Sequence, residues 1–352
     1  HFENVELPFV VQGWSKKFDT SQFFLASYKK LEAQGFTPDF VLTHAGWGAG
    51  LLVKTVFPKA KLAAYCEWWF RWSSDDSLFD IDSPYSPVIT DSSRIREQFV
   101  NMFQACEIAQ ADFCWAPTSY QKSQYPLRLQ HNMEVIHEGV QIDRSILREK
   151  LYLNNFLPSS PMTYATRGME PMRGFDHFIS IAAQLLSEKV ATTAIIAGKD
   201  KAFYRKLPPG SASMKEYANK EFRKYGISDS QVSWPGLLPY ENYKSLMASS
   251  GLHFYFTRPF VPSWSLVDAM ASGCLIVASD IECVQEGVTS TDYGSTALLV
   301  DHTNHSASVS AVKELLSDPS RQAEMREASV DLAFQHFNSS KQLSILMDFL
   351  DL

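Results

Sequence analysis

The second half of the chain alternates short apolar runs with segments in which apolar residues recur every three or four positions. The runs predict buried strands, and the recurring positions predict helices that bury one face. The predicted strands lie at residues 162–166, 192–197, 232–234, 252–256, 274–278 and 297–300. The predicted helices lie at residues 175–186, 240–249, 306–317 and 319–334, with one more that begins near Ser263. This alternation predicts an α/β fold with a parallel sheet.

The first half shows the same alternation less regularly. Its predicted strands lie at residues 2–11, 39–43, 61–66, 111–116 and 133–136, and its predicted helices lie at residues 21–34 and 94–110. The polar segment at residues 141–161 ends in Leu-Pro-Ser-Ser-Pro and predicts a linker. We therefore expect a first domain at residues 1–140, a second at residues 162–335, and a C-terminal helix at residues 336–352.

Composition argues against several classes of protein. With 352 residues, of which 45% are hydrophobic, the chain is long enough to bury two cores. Its formal net charge of −7, without a visible basic face, argues against a nucleic-acid partner. No apolar run reaches the roughly 18 residues of a membrane span. Five cysteines without a C-x-x-C pair favour a reducing compartment.

One segment of the second half carries a specific motif. Asp268 is followed by Ala-Met-Ala-Ser-Gly, an apolar strand and then Ser-Asp. This segment resembles the nucleotide-sugar-binding core of the retaining GT-B glycosyltransferases of glycosyltransferase family 4. The resemblance implies a GT-B fold, in which two Rossmann-like domains with parallel sheets face each other across a cleft. It also implies that the C-terminal helix returns to the first domain. Because the chain opens without the expected first strand and glycine turn, we expect further residues upstream of His1.

Asp268 has two interpretations. In similar enzymes this acid holds the ribose hydroxyls of the donor nucleotide. The spacing Ser265-x-x-Asp268 is also typical of a capping box, in which the serine caps the helix and the carboxylate reaches back to a backbone N–H group. The family pattern carries a second acid eight positions earlier, where this chain has Phe260. That acid lies beside the donor sugar in similar enzymes, so this contact is not carried over.

Two arginines follow the first strand of the predicted second domain. Arg167 stands at the strand end and Arg173 lies six positions later, the spacing at which similar enzymes grip the donor diphosphate. An arginine can bind two phosphate oxygens through its planar fork, although surface ion pairs are the alternative for both. The resemblance places further donor contacts at Gly198, Lys199, Gly236, Leu237, Arg258, Ser263, Trp264, Ser265 and Leu266.

The acceptor side is expected in the first domain. His44 lies at the carboxyl end of a predicted strand, where open α/β sheets bind ligands, although a strand-end histidine is often structural. Gly46 and Trp47 lie in the glycine-rich turn that follows, and Glu67 follows the next strand. The resemblance assigns His44 to catalysis and the other three residues to the acceptor side.

Three tryptophans, Trp68, Trp69 and Trp72, come directly after Glu67. They predict either stacking on sugar rings or on a lipid-linked acceptor at a membrane interface, or ordinary packing at a domain edge.

Asp80-Ile81-Asp82 is the one D-x-D sequence, a spacing found in metal-dependent glycosyltransferases of another fold. It lies in a Ser/Asp/Pro-rich loop without a strand before it, which predicts a solvated loop. We therefore expect no required metal.

Taken together, the resemblance implies an EC 2.4 glycosyltransferase that needs no cofactor beyond its nucleoside-diphosphate sugar. The expected acceptor is a saccharide or a lipid-linked glycan in polysaccharide biosynthesis. The expected location is cytoplasmic, with peripheral association at the inner face of the membrane as an option. Two alternatives stay open: an inactive nucleotide-sugar-binding partner, suggested by Phe260, and a GT-B-like nucleotide-sugar epimerase.

Overall fold

The chain divides into two units, each built around a parallel sheet. The structure is a computed structural model that describes residues 9–71, 73–86, 88–142, 157, 159–207 and 210–352. Unit 1 comprises His1–Leu78, Val88–His137 and Ser344–Leu352, and unit 2 comprises Phe79–Pro87 and Glu138–Leu343. Most of the predicted linker at residues 141–161, and the start of the strand predicted at residues 2–11, lie outside the described residues.

Unit 1 contains the strands β1 (Phe40–His44), β2 (Lys61–Tyr65), β3 (Phe113–Ala116) and β4 (Met133–Val135). They pair in this order, all in parallel. Its helices are α1 (Phe9–Ala33), α2 (Val53–Val56), α3 (Asp75–Leu78), α4 (Asp91–Gln110), α5 (Ser119–Ser123) and α6 (Leu127–Gln130), with a 3-10 helix at Gly50–Leu52. The central strand β2 buries Leu62, Ala63 and Ala64 in sequence, as expected for a parallel strand covered on both faces.

Unit 2 contains the strands β5 (Met162–Gly168), β6 (Ala194–Lys199), β7 (Val232–Gly236), β8 (Leu252–Tyr255), β9 (Ile276–Ser279), β10 (Thr289–Ser290), β11 (Gly294–Ser295) and β12 (Leu298–Val300). Its helices are α7 (Phe175–Ser187), α8 (Met214–Lys224), α9 (Tyr240–Ser249), α10 (Trp264–Ala271), α11 (Glu282–Val288), α12 (His305–Leu316) and α13 (Pro319–His336), with 3-10 helices at Pro171–Arg173 and Asp229–Gln231. The last helix of the chain, α14 (Ser339–Phe349), spans the boundary between the units.

The main sheet of unit 2 has six parallel strands in the order β12–β9–β8–β5–β6–β7. The chain runs from β5 outward to β7 and then returns to the other side of β5 as β8. The strand order therefore reverses between β5 and β8, and open α/β sheets bind ligands beside the carboxyl ends of the strands at such a point. The loops after β5 and β8 are the segments that this topology brings to the candidate site.

Helix α7 shows why unit 2 folds as its sequence predicts. Phe175, Phe178, Ile179 and Leu185 recur at helical spacing, and all four are buried in the core. Phe178 stacks on Tyr164 of β5 with 4.7 Å between the ring centroids, so the helix lies directly against the first strand.

Most predicted elements match the structure, and one does not. The ends of the predicted unit 2 strands and helices lie within two residues of their predicted positions, whereas α8, α11, β10 and β11 were not predicted. The strand predicted at residues 2–11 is wrong for its described part, because Phe9–Val11 begin α1. Val10 and Val11 are β-branched and suggested a strand, but strand propensity depends strongly on context, and here the segment continues into a helix.

Candidate functional site

A cavity of about 290 Å³ opens at the switch point of the unit 2 sheet. It lies beside the carboxyl ends of β5 and β6 and the first turn of α10. Its walls are Ala165, Thr166, Arg167, Ala197, Gly198, Leu237, Leu238, Tyr240, Tyr243, Ser263, Ser265 and Asp268. We call it the donor cavity. It combines one cation, one carboxylate, several hydroxyl groups and an apolar wall.

Arg167 and Arg173 lie among aromatic rings. The Arg167 guanidinium lies 4.5 Å from the Phe203 ring centroid and donates a hydrogen bond to the Tyr204 hydroxyl at 3.2 Å. Tyr204 meets Phe260 edge to face at 5.3 Å, and the Arg173 guanidinium lies 5.6 Å from the Phe260 ring centroid. None of the salt bridges among the described residues involves either arginine, so the surface ion pairs considered for them are not formed there.

A buried carboxylate holds the loop that supplies these rings. Glu170 is only 2% exposed, and its Oε2 accepts the backbone N–H groups of Phe203 at 3.0 Å and Tyr204 at 2.7 Å. A Cβ at Gly168 would lie 2.5 Å from the Phe203 ring, so only glycine allows this close approach. Sequence reasoning missed Glu170, because the partners of its carboxylate lie more than 30 positions away in a polar loop.

The N-terminus of α10 is capped by Ser263. Its Oγ accepts the Ser265 N–H at 3.3 Å and the Ser265 hydroxyl at 3.0 Å, and its own N–H donates to the Tyr255 hydroxyl at 2.7 Å. The capping box considered between Ser265 and Asp268 is not formed, because the N-cap of α10 is Ser263, two residues before the position that this pattern requires.

Asp268 faces the donor cavity. Its carboxylate accepts a hydrogen bond from the Tyr243 hydroxyl of α9 at 3.2 Å. Burial raises the pKa of Asp268, and the hydrogen bond from Tyr243 opposes this rise. The carboxylate has unfilled acceptor capacity toward the cavity, because one carboxylate group can accept about four hydrogen bonds.

Unit 1 brings together His44, Trp47 and Glu67. The His44 Nε2 lies 3.2 Å from the Glu67 carboxylate, and the His44 ring lies 4.7 Å from the Trp47 ring and 5.1 Å from the Tyr65 ring. The indole of Trp47 is exposed. The carboxyl ends of β1 and β2 bring these groups close together, because parallel strands end at one edge of their sheet.

A second buried acid, Glu107 of α4, supports the glycine-rich turn beside His44. Its carboxylate accepts the Gly46 N–H at 2.7 Å and the Gly48 N–H at 3.0 Å, and the Lys17 ammonium donates to the Gly46 carbonyl at 2.6 Å. Both glycines have φ near +85°, a region that other residues enter only with strain. Burial raises the pKa of Glu107, and the two N–H donors oppose this rise. The apolar periodicity of α4 gave no signal for this role.

Two family models match the chain, one in each half. The model described as Glycosyl transferase family 4 group matches residues 3–145, and the model described as Glycosyl transferases group 1 matches residues 159–331. The chain belongs to the family 4 glycosyltransferases. A search of the curated proteins finds no significant match.

Solved structures show that this family 4 glycosyltransferase has the GT-B fold. It matches the GtfA/B complex with a TM-score of 0.61 and 18% identity, over 93% of this chain and 60% of that one. It matches sucrose-phosphate synthase from Thermosynechococcus elongatus with a TM-score of 0.67 and 14% identity, over 95% and 78%. HepE from Anabaena in complex with UDP matches with a TM-score of 0.64 and 17% identity, over 93% and 81%. The chain thus spans less than two thirds of the GtfA/B chain.

The donor cavity of the glycosyltransferase contains part of the predicted donor set. Arg167, Gly198, Leu237, Ser263, Ser265 and Asp268 line it. The predicted residues that do not line it are Arg173, Lys199, Gly236, Arg258, Trp264 and Leu266. Leu266 faces the core, whereas Trp264 and Lys199 are exposed. Sequence reasoning missed Leu238, Tyr240 and Tyr243, because Leu238 lies in the loop after β7 and the two tyrosines lie in α9, a predicted helix without a motif.

Two sequence interpretations need correction at Arg258 and Asp80. Arg258 is not a donor-sugar residue in this structure, because its side chain is 1% exposed and forms a bidentate pair with Asp176 at 3.1 and 3.0 Å. Asp80 is only partly solvated, because its side chain is 25% exposed and its carboxylate accepts a hydrogen bond from Arg258 Nη2 at 2.9 Å. Asp82 is exposed, as expected for this loop. No local sequence pattern predicts the Asp80 pair, which joins residues 178 positions apart.

Of the two interpretations of the tryptophans after Glu67, packing fits the two that the structure describes. Trp68 is buried and Trp69 packs against the core, so packing accounts for both, and Trp72 lies outside the described residues.

Among the described residues, no group of three or more His, Cys, Asp or Glu side chains has metal-binding geometry. None of the described helices combines the length and apolar character needed to cross a bilayer.

Proposed function

We propose that this glycosyltransferase moves a sugar from a nucleoside-diphosphate sugar to a saccharide or lipid-linked glycan, with retention of anomeric configuration and without a metal ion. The observation that carries the proposal is the donor cavity. It places the Arg167 cation, the N-terminus of α10 and the Asp268 carboxylate around one space at the sheet's switch point. This combination suits a ligand with an anionic centre and a polyhydroxylated end.

The chemistry requires charge stabilisation at the leaving group. When the bond between the anomeric carbon and the diphosphate oxygen breaks, that carbon bonds to the acceptor oxygen and the diphosphate gains negative charge. The acceptor hydroxyl loses its proton to the leaving diphosphate or to solvent. Arg167, Arg173 and the positive end of the α10 helix dipole would stabilise that charge. Two arginines without carboxylate partners can supply this without a metal, which supports the metal-independent part of the proposal.

The nucleoside end would bind beside Asp268. Its carboxylate would accept a ribose hydroxyl, and backbone groups near Gly198 and Leu237 would contact the base. Crystal structures of HepE hold UDP, UDP with glucose, and UDP-glucose. UDP is therefore the first nucleotide to test. Phe260 replaces the acid of the family pattern, so we expect the sugar to be held without a carboxylate at this position.

We assign the acceptor to unit 1, at His44, Gly46, Trp47 and Glu67. The exposed indole of Trp47 offers a surface for a sugar ring, and the Glu67 carboxylate beside His44 orients the imidazole. We assign the reaction to the cytoplasm and to polysaccharide biosynthesis, with peripheral membrane association if the acceptor is lipid-linked. All five cysteines lie in the described residues and are free thiols, which is consistent with a reducing compartment.

The first experiment is a thermal-shift panel of UDP-, GDP-, ADP- and dTDP-sugars with and without EDTA, because a ligand of the native state raises its stability. We expect a selective shift that persists in EDTA. Analysis of the products then separates the alternatives. A new glycoside with the donor's anomeric configuration supports the proposal, an epimerised donor indicates an epimerase, and binding without turnover indicates an inactive partner.

The assignment of the diphosphate site is tested by Arg167→Ala and Arg173→Ala. Each is expected to lower turnover by about 10²- to 10³-fold, the usual cost of losing one preorganised charge-stabilising donor. Arg223→Ala, in the exposed last turn of α8, is the matched control and should leave turnover unchanged. Near-normal turnover in both test variants would reject the assignment.

A further inference from the structure

The segment Phe79–Pro87, here called the strap, belongs to unit 2 although its neighbours in sequence belong to unit 1. We call the loops that follow β5 and β8 the donor loops, because they carry Arg173 and lead to Ser263, and the strap contacts the second of these loops. The contact is an ion pair between the strap residue Asp80 and the buried Arg258 of the second loop, with 2.9 Å between carboxylate oxygen and Nη2.

Arg258 ties the two donor loops to each other. Its backbone N–H donates to the Met172 carbonyl at 2.9 Å, and its Nη1 donates to the Pro171 carbonyl and to Asp176. In the opposite direction, Arg173 Nη1 donates to the Val261 carbonyl at 2.9 Å. The position of Arg173 therefore depends on hydrogen bonds that join the two donor loops in both directions. Arg258 forms these hydrogen bonds on the buried side.

An aromatic stack joins the strap to the same loops. The Phe79 ring lies parallel to the His302 ring at 5.6 Å, and His302 stacks on Phe256 at 5.4 Å. Phe256 in turn packs against Gly174, where an added Cβ would lie 2.5 Å from the Phe256 Cβ. These contacts leave little room for the turn that follows Arg173 to move relative to the strap.

The space around Asp80 shows what its loss would allow. A cavity of about 280 Å³ is lined by Asp80, Asp82, Asp176 and His177, among others. Without the Asp80 carboxylate, the Nη2 edge of Arg258 would face this space, and the guanidinium could turn away from the Pro171 carbonyl. Asp176 and His177, whose Nε2 lies 3.3 Å from Nη2, would remain as its partners.

We propose that Asp80 is a positioning residue for the donor diphosphate, acting through Arg258 and the donor loops on Arg173. The inference rests on the proposed function, because it assigns Asp80 to the support of a diphosphate-binding arginine. Asp80 itself touches no substrate. We expect a substitution of Asp80 to weaken binding of the diphosphate and to leave the contacts to the base and ribose unchanged.

The test compares Asp80→Asn with Asp82→Asn, a matched substitution in the exposed part of the same strap. Calorimetry with UDP should show affinity lowered about 2- to 30-fold in Asp80→Asn, the range for residues that act through intervening contacts. Ligand-observed NMR with uridine, which has no phosphate, should show unchanged affinity. Asp82→Asn should match the wild type with both probes. Equal losses for UDP and uridine in Asp80→Asn would overturn the proposal.

A double-mutant cycle separates this inference from the proposed function. In an Arg173→Ala background, Asp80→Asn should cause no further loss of UDP affinity, because its effect passes through Arg173. Full additivity would make Asp80 a general structural residue. If Arg173→Ala weakens UDP binding and Asp80→Asn does not, only the inference fails. If Arg173→Ala has no effect on UDP binding, the diphosphate assignment fails with it.

Asp80→Glu keeps the charge and moves it by one methylene, and it should bind UDP more tightly than Asp80→Asn. Should Asp80→Asn fail to fold, Asp80→Glu takes its place, with a smaller loss for UDP and none for uridine. Wild-type affinity for UDP in Asp80→Glu would then overturn the requirement for a fixed carboxylate position.

Discussion

Phe260 sets the electrostatic character of the donor loops at the level of a single residue. Its ring lies between Tyr204 and the guanidinium of Arg173. An acid at this position would offer Arg173 an ion-pair partner and reduce the positive charge left for a phosphate. The aromatic ring holds the guanidinium through a cation–π contact of about 0.5–1 kcal/mol and leaves its charge unpaired.

Asp268 provides a pH-dependent prediction at the same scale. Its ionised form accepts hydrogen bonds from the ribose, and its raised pKa means that the carboxyl takes up a proton at a higher pH than an ordinary aspartate does. UDP affinity should therefore be at its maximum above this raised pKa, and it should fall as the pH decreases through the pKa. Asp268→Asn should bind UDP about 10- to 100-fold more weakly, the cost of a lost hydrogen bond to a charged group, and without this pH dependence.

Tyr243→Phe is the companion variant, measured by UDP calorimetry between pH 5 and pH 8. The Tyr243 hydroxyl lowers the pKa of Asp268, so its removal should move the midpoint to higher pH. A midpoint that stays in place, or moves down, would contradict the assignment of the titration to Asp268.

The site residues that sequence predicted are those that belong to a local motif. Arg167 lies at the end of β5, and Asp268 lies in the motif carried by α10, so both could be found although their hydrogen-bond partners lie 37 and 25 positions away. Arg258 and Asp80 were misread, because a charge 178 positions away decides their environment and no local pattern encodes it. Ser265 was misassigned as the cap for a different reason: Ser263 and Ser265 are both good caps, and only the backbone geometry selects between them.

At the scale of elements, the donor loops depend on a third loop, residues 200–207. Glu170 holds that loop through one oxygen, which accepts both N–H groups. Most helix and strand positions in unit 2 could be predicted because each of these elements buries a regularly spaced set of apolar residues. The course of this loop could not, because its backbone is ordered by a buried carboxylate and not by periodicity.

We expect Glu170→Ala to make the loop at residues 200–207 more mobile. Glu170→Gln keeps an oxygen that can accept both N–H groups. Hydrogen exchange should be faster at the Phe203 and Tyr204 amides in Glu170→Ala and close to wild type in Glu170→Gln. The alanine variant leaves two amides without an acceptor, each at a cost of about 1–3 kcal/mol if they stay buried. Slow exchange in Glu170→Ala would show that other contacts order the loop.

At the scale of the whole molecule, the last residues of the chain complete the core of unit 1. Leu350 is buried with Ala63, Trp115 and Ile136, and Phe349 meets Phe113 edge to face at 5.4 Å. This return of the chain was expected from the family resemblance and not from the local pattern, because a short amphipathic helix does not show which sheet it covers.

Leu350→Ala should lower the free energy of unfolding of unit 1 by about 2–5 kcal/mol, the usual cost of a buried Leu-to-Ala change. Urea denaturation followed by tryptophan fluorescence, with Trp115 in the affected core, measures this. Leu352→Ala is the matched control, since Leu352 is 61% exposed, and it should change stability by less than about 0.5 kcal/mol. Equal stability of the two variants would remove α14 from the unit 1 core.

The strap and the C-terminal segment also fix an order of events during synthesis. The chain passes between the units four times, after residues 78, 87, 137 and 343. Ser344–Leu352 are therefore translated only after all of unit 2. The core that Leu350 shares with Ala63, Trp115 and Ile136 can close only after that point, so the unit that starts first along the chain completes its core last.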